Sequence, residues 1–189
     1  MPETAMPEPS VPDIRPAREA DVPALLELIH ELAAYEKEPD AVKTTARQLQ
    51  DALFGPHPAV FAHVAEVDGR VEGMALWFRN FSTWEGVHGI YLEDLYVRPG
   101  TRGRGLGTEL LRTLARYAVD QGYARVEWAV LNWNEPAIGF YRALGAGPQD
   151  EWTTYRLTGE ALAAFGARDG AGPDLEGNGD AGQVAGASR

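Results

Sequence analysis

The stretch Tyr91-Leu92-Glu93-Asp94-Leu95-Tyr96-Val97-Arg98-Pro99-Gly100-Thr101-Arg102-Gly103-Arg104-Gly105-Leu106-Gly107 passes from aromatic and branched residues into a loop of alternating glycines. The first half reads as a strand and the loop opens a helix. Glycines lack a Cβ, so the backbone N–H groups of such a loop can converge on a phosphate, and the helix N-terminus adds partial positive charge. Arg102 and Arg104 supply full charges of the kind that pair with phosphate oxygens. The spacing is neither the G-x-G-x-x-G of dinucleotide folds nor a P-loop, which ends in Gly-Lys-Ser/Thr. Taken alone, a glycine turn ahead of a helix is commonly a structural device.

Outward from this segment, the pattern predicts a mixed α/β sheet. A short strand at Asp13 to Pro16 precedes a helix in which Val22, Leu25, Leu26, Ile29, Leu32 and Ala33 recur with helical spacing, and Pro23 falls in its tolerated first turn. A second helix is expected after Thr44 as N-cap, ending near Gly55-Pro56. Strand-like runs at Ala59 to Val67 and Val71 to Asn80 flank Asp68-Gly69, a hairpin signal. After a strand at Gly89 to Val97, a helix is expected from Leu106 to Gln121, then a strand at Arg125 to Leu131. A short helix near Pro136, a last strand at Glu151 to Leu157 and a final helix capped by Thr158 complete the core. Residues 1–11, rich in proline, read as a disordered leader, and 167–189, rich in Gly, Ala and Asp, as a disordered acidic tail. One domain is expected over 12–166.

Composition removes several chemistries. The chain of 189 residues has no cysteine, which excludes disulfides, thiolate zinc sites and a cysteine nucleophile. His30, His57, His63 and His88 show no metal-ligand spacing, so no metal is expected. Ser10, Ser82 and Ser188 are the only serines and none lies in a nucleophile elbow. No apolar run approaches the ~18 residues of a membrane helix, so a soluble, cytoplasmic protein without membrane or nucleic-acid partners is expected. The net charge of -11, with Lys37 and Lys43 as the only lysines, repels nucleic acid and attracts small cations.

Glu93 and Asp94 interrupt an apolar strand. In a regular strand adjacent residues face opposite sides, so the two acids would not serve one site. Buried without partners, such a carboxylate costs several kcal/mol, roughly; a cleft, or an ion pair with Arg79 or Arg125, would account for it. Asn132-Trp133-Asn134-Glu135-Pro136-Ala137 reads as a loop that opens a helix, with Asn134 able to cap it. Phe140, Tyr141 and Leu144 would ordinarily be core residues of that helix.

These blocks, in this order, resemble the GCN5-related N-acetyltransferase superfamily. Arg102, Gly105 and Gly107 fit its acetyl-CoA signature, Arg/Gln-x-x-Gly-x-Gly/Ala. Ile14-Arg15-Pro16-Ala17, Glu31-Leu32-Ala33-Ala34-Tyr35-Glu36, Tyr91-Leu92-Glu93-Asp94, Trp133-Asn134-Glu135-Pro136-Ala137 and Phe140-Tyr141 look like its diamine acetyltransferase branch, which includes spermidine/spermine and thialysine enzymes. The resemblance implies a mostly antiparallel, twisted sheet with helices on both faces, splayed between its fourth and fifth strands to admit acetyl-CoA. It implies that Leu95, Tyr96 and Val97 meet the pantetheine arm. Arg102, Gly103, Arg104, Gly105, Leu106, Gly107 and Thr108 would hold the pyrophosphate. Asn134, Glu135, Pro136 and Ala137 would touch the cofactor, while Tyr35, Glu36, Glu93, Glu127 and Trp128 would line the acceptor pocket. Tyr141 falls on the position of the general acid, Glu93 on that of a proton relay, and a homodimer is implied.

The implied reaction is acetyl transfer to a small primary amine (diamine, polyamine or thialysine-like) by direct attack, which needs no enzyme nucleophile and agrees with the missing Cys. The anionic composition would then steer amines. Polyamine enzymes carry an acid shortly before a tryptophan where this chain reads Phe81-Ser82-Thr83-Trp84, a departure that favours a primary amine in general over an acceptor with two distant ammonium groups. A protein or peptide acceptor, or a non-catalytic acetyl-CoA sensor, are the alternative readings.

Overall fold

A computed structural model describes residues 12–167, which fall into two compact units, one ending at Ala129 and the other beginning at Val130. The expected leader and all but the first residue of the expected tail lie outside the described residues.

In the first unit five strands lie in the order β1 (Asp13–Pro16), β2 (Phe61–Val67), β3 (Arg70–Ser82), β4 (Val87–Val97) and β5 (Val126–Glu127). Neighbours pair antiparallel except β4 and β5, which are parallel. The β2–β3 turn carries Asp68 and Gly69 at φ of 53° and 75°. Two consecutive left-handed residues match the strand twist, as the Asp-Gly pair predicts.

Helix α1 (Val22–Tyr35) and helix α2 (Ala46–Phe54) cover one face of the sheet, and α3 (Leu106–Asp120) packs on β2, β3 and β4. Val22, Leu25 and Leu28 of α1 and Leu49 and Leu53 of α2 form one buried cluster with Ala62, Val64, Met74, Leu76 and Tyr96 of the sheet. On the other face Leu106, Leu110, Leu114 and Ala118 of α3 are buried, and Tyr117 of the same helix lies 5.1 Å from Trp77, ring to ring. Burying a side chain of this size is worth about 1.5–3 kcal/mol, so the two layers hold the sheet from both sides. Helix α2 is capped by Thr45 rather than the expected Thr44. Gln48 is the reason: it stands three residues after Thr45, accepts from that residue's N–H at 2.9 Å and donates its own N–H back to the hydroxyl at 3.3 Å.

Two strands depart from expectation. The run from Arg125 keeps strand pairing only at Val126 and Glu127. Glu151 to Leu157 forms no strand: 152–158 have no regular structure, and Tyr155 is 92% exposed. Its bulky residues, Trp152, Tyr155 and Leu157, do not keep a two-residue period, and no described strand pairs with it. The second unit holds α4 (Glu135–Ala143) and α5 (Gly159–Gly166), the latter preceded by Thr158 without a side-chain cap bond. No helix among the described residues is long and apolar enough to cross a membrane.

The edge strand is tied down by charge. Arg15 holds Asp21 at 2.6 Å and Glu66 at 2.7 Å, and Asp21 also accepts the Arg18 N–H at 2.7 Å. The Arg15 hydrogen bond pulls the Asp21 carboxyl below its ordinary range. An acid depressed on folding stabilises above its unfolded value and loses that contribution as pH falls through the folded one. Asp21→Ala is therefore expected to cost about 3 kcal/mol in urea unfolding at neutral pH. The difference from wild type should shrink below about pH 4; a difference constant with pH would show that the ion pair is not its source.

Candidate active site

The pairing of β3 with β4 slips by one residue: Leu76 faces Asp94 while Trp77 faces Leu92. Glu93 is left without an opposite partner, a β-bulge. Simple alternation would put Leu92 and Asp94 on one face of the sheet. The extra residue sends Leu92 to the Trp77 side, beneath α3, and Asp94 to the Leu76 side, beneath α1 and α2. Both Glu93 and Asp94 consequently line one cleft of about 510 Å³. The expectation that adjacent acids cannot share a site is overturned, because it assumed a regular strand.

The floor of this cleft is apolar, with Ile29, Leu49, Ala52, Val60 and Leu76. Its remaining polar groups are Lys43 and Thr44 from the segment before α2, and Gln48 from the first turn of α2. Burial raises the Asp94 carboxyl to about 6, helped by the negative charges of Glu93 and Glu36. Glu36, at the end of α1, is itself pushed up by burial. Three carboxylates are thus held close enough to repel, an arrangement that favours a bound cation or proton. Neither Arg79 nor Arg125 neutralises them: Arg79 lies over the Phe61 ring, and Arg125 pairs with Glu127 at 2.6 Å.

The parallel ladder of β4 with β5 contains Ile90–Val126 and Tyr91–Glu127 and goes no further. From Leu92 to Val97, β4 is paired on the β3 side alone among the described residues, which is the expected splay. Leu95, Tyr96 and Val97 lie on this half. Beyond it, Gly103 and Gly105 adopt left-handed φ of 77° and 83°. A Cβ built on either meets nothing within 4 Å, so the loop backbone is open to a ligand. The first bond of α3 runs from the Glu109 N–H to the Gly105 carbonyl, and no side chain caps the helix. The N–H groups of Leu106, Gly107 and Thr108 therefore stand ahead of the ladder, a geometry that can receive an anion.

The Arg102 side chain is directed differently from expectation. Its guanidinium lies over the Tyr35 ring at 5.1 Å and the Tyr96 ring at 5.5 Å, and its Nε donates to the Val97 carbonyl at 2.8 Å. Arg102 thereby ties the glycine loop to the end of α1, where Tyr35 and Glu36 sit. Glu127 is also engaged, accepting from Asn80 at 2.6 Å as well as pairing with Arg125, and neither it nor Trp128 lines the cleft.

In the second unit Asn134 caps α4 by accepting the Ala137 N–H at 3.4 Å, with Glu135 and Pro136 opening the helix. Phe140 and Tyr141 pair their rings at 5.3 Å, both half-buried, and Leu144 is exposed, so α4 buries none of the three. Among the described residues no group of three or more His, Asp or Glu could hold a metal ion. Asp94, Lys43, Thr44 and Gln48 were not marked by sequence as site residues: the bulge has no sequence signature, and the other three lie in an unpatterned loop and an ordinary capping turn.

Comparison with known proteins agrees with this geometry. Residues 24–146 match the model of the Acetyltransferase (GNAT) family. The chain is 40% identical over 160 residues to the thialysine N-epsilon-acetyltransferase of Bos taurus, covering 79% of this chain and 94% of that one. It is 31% identical to an L-ornithine N5-acetyltransferase of Arabidopsis thaliana, covering 87% and 97%. Among solved structures, an integron cassette protein from the mobile metagenome of V. cholerae superimposes with a TM-score of 0.70 at 26% identity, over 82% of this chain and 96% of that one. The strand–glycine loop–helix unit, the splayed β4 and these relatives lead to one assignment: the chain belongs to the GNAT family of acetyltransferases.

Proposed function

We propose that this enzyme transfers the acetyl group of acetyl-CoA to the terminal primary amine of a small molecule, a diamine or a thialysine- or ornithine-like amino acid, by direct attack of the amine on the thioester. The observation that carries this reading is the bulge that sets Glu93 and Asp94 together on one cleft. An alkyl ammonium, with a pKa near ~10.4, is neutral in only about one molecule in a few thousand at neutral pH, and deprotonating it there costs roughly 4–5 kcal/mol. Carboxylates that attract the ammonium and then accept its proton, Glu93 through a water molecule and Asp94 beside it, supply what this step needs. The neutral nitrogen forms its bond to the acetyl carbon as the carbon–sulfur bond breaks. Tyr141 gives its phenolic proton to the departing thiolate and is reprotonated by the second proton that the nitrogen sheds on becoming an amide; thiol and phenol pKa values of about 8.5 and 10 make that transfer easy.

In this reading the Leu106 to Thr108 N–H groups, with Arg104, receive the pyrophosphate, and backbone groups of Leu95, Tyr96 and Val97 take the pantetheine arm. Asn134 to Ala137 contribute a further cofactor contact. Arg102 acts mainly by fixing the loop against Tyr35 and Tyr96. The enzyme works in the cytoplasm as a homodimer, which sedimentation at micromolar concentration would test.

Three measurements test the assignment. Turnover with an amine panel should fall about 10²–10⁴-fold in kcat for Tyr141→Phe, with KM little changed; undiminished kcat would remove Tyr141 from the reaction. The kcat/KM for the amine should rise as pH increases through about 6, where Asp94 loses its proton. Below that value the carboxyl is already protonated and cannot accept another proton. Asp94→Asn should abolish this limb; a limb that survives belongs to another group. Gly105→Val, which forces a branched residue to φ of 83°, should raise the KM for acetyl-CoA far more than that for the amine. Equal effects on both would count against the cradle.

A further inference from the structure

The acceptor cleft is chemically two-sided. Glu93 and Asp94 supply negative charge from β4, while Lys43, Thr44 and Gln48 supply hydrogen-bond donors from the chain entering α2. Lys43 is one of two lysines in a chain of net charge -11, yet it makes no ion pair or hydrogen bond among the described residues. The Gln48 Oε1 is occupied by the Thr45 N–H and hydroxyl, both at 2.9 Å, so its Nε2 is the group left to donate. Between the two sides the surface is apolar, contributed by Ile29, Leu49 and Val60 among others.

We propose that Lys43 is the specificity-determining residue of this cleft: it receives the α-carboxylate of an amino-acid acceptor whose terminal ammonium lies against Glu93 and Asp94. The proposal rests on the acetyltransferase reading above and adds the class of acceptor to it. A zwitterionic molecule with an aliphatic spacer satisfies both charged sides and covers the apolar surface between them. A simple diamine of the same length satisfies the carboxylates but brings a second cation toward the Lys43 ammonium, where like charges repel. The unpartnered lysine thus acts as attraction for one acceptor and rejection of the other.

Ornithine and 1,4-diaminobutane differ only by the α-carboxylate, and lysine and 1,5-diaminopentane form a second such pair. In wild type the amino acid of each pair should have the higher kcat/KM. Lys43→Glu should lower that preference by about tenfold or more, Lys43→Ala by a smaller factor, and Lys43→Arg should retain it within about threefold, a tenfold change in ratio corresponding to 1.4 kcal/mol. Thermal unfolding of each variant verifies that it is folded, as expected for changes at an exposed side chain. A wild-type preference for the diamines, or a preference unmoved in Lys43→Glu, would overturn the assignment while leaving the acetyltransferase intact. Wild type that acetylates no free amine would overturn the small-amine reading itself, and this inference with it.

Discussion

Between Leu92 and Asp94 the chain carries one residue more than the opposing strand can pair, and both faces of the sheet depend on it. Up to Leu92, alternating residues of β4 meet Trp77 and the underside of α3. After the bulge the same parity belongs to Asp94 and Tyr96, and Tyr96 joins the cluster under α1 and α2. Without the extra residue, Asp94 would enter the apolar layer beneath α3, or Leu92 would leave it. The bulge therefore reconciles a buried aliphatic strand with a carboxylate pair in a cleft. Bulges also increase local twist, and the β5 ladder ends at Tyr91, just before this one. One local irregularity thus coincides with both the acidic cleft and the opening of the sheet.

The electrostatic consequence is a site under tension before any ligand arrives. Asp94 is held half-buried beside two acids and rises to about 6 as a result. The fold tolerates this because it is anchored elsewhere by hydrogen-bonded ion pairs: Arg15 with Asp21 and Glu66, and Arg98 with Glu27 and Glu31. Arginine is spent on structure, and the cleft is left with one lysine. A cationic group entering it would replace carboxylate–carboxylate repulsion with attraction.

Most of the secondary structure was legible because its signals are local. Helical spacing marked α1 and α3, and Asp68-Gly69 marked a turn that only left-handed residues can make. What escaped was set by pairing rather than by composition. Nothing in Leu92-Glu93-Asp94 announces a bulge; it exists because β3 and the two helical layers impose different registers on either side of Glu93. Likewise Glu151 to Leu157 is rich in strand-forming residues but pairs with no described strand, and propensity without a partner does not make a strand. The glycine loop was legible as a turn that opens a helix, whereas the Arg102 side chain could not be placed, since its aromatic partners Tyr35 and Tyr96 lie far apart in sequence.

That placement of Arg102 joins the glycine loop to the end of α1 and to β4. Tyr35 ends α1, directly before Glu36, which adds to the charge around Asp94. Tyr96 stands two residues beyond Asp94 on β4. A guanidinium over both rings, each contact worth about 0.5–1 kcal/mol or more where desolvated, connects the glycine loop to the elements that form the carboxylate cleft. Its Nε is committed to the Val97 carbonyl on the splayed half of β4. Displacing Arg102 would release the end of α1 as well as the loop, so the glycine loop and the carboxylate cleft share a mechanical link that runs through one side chain.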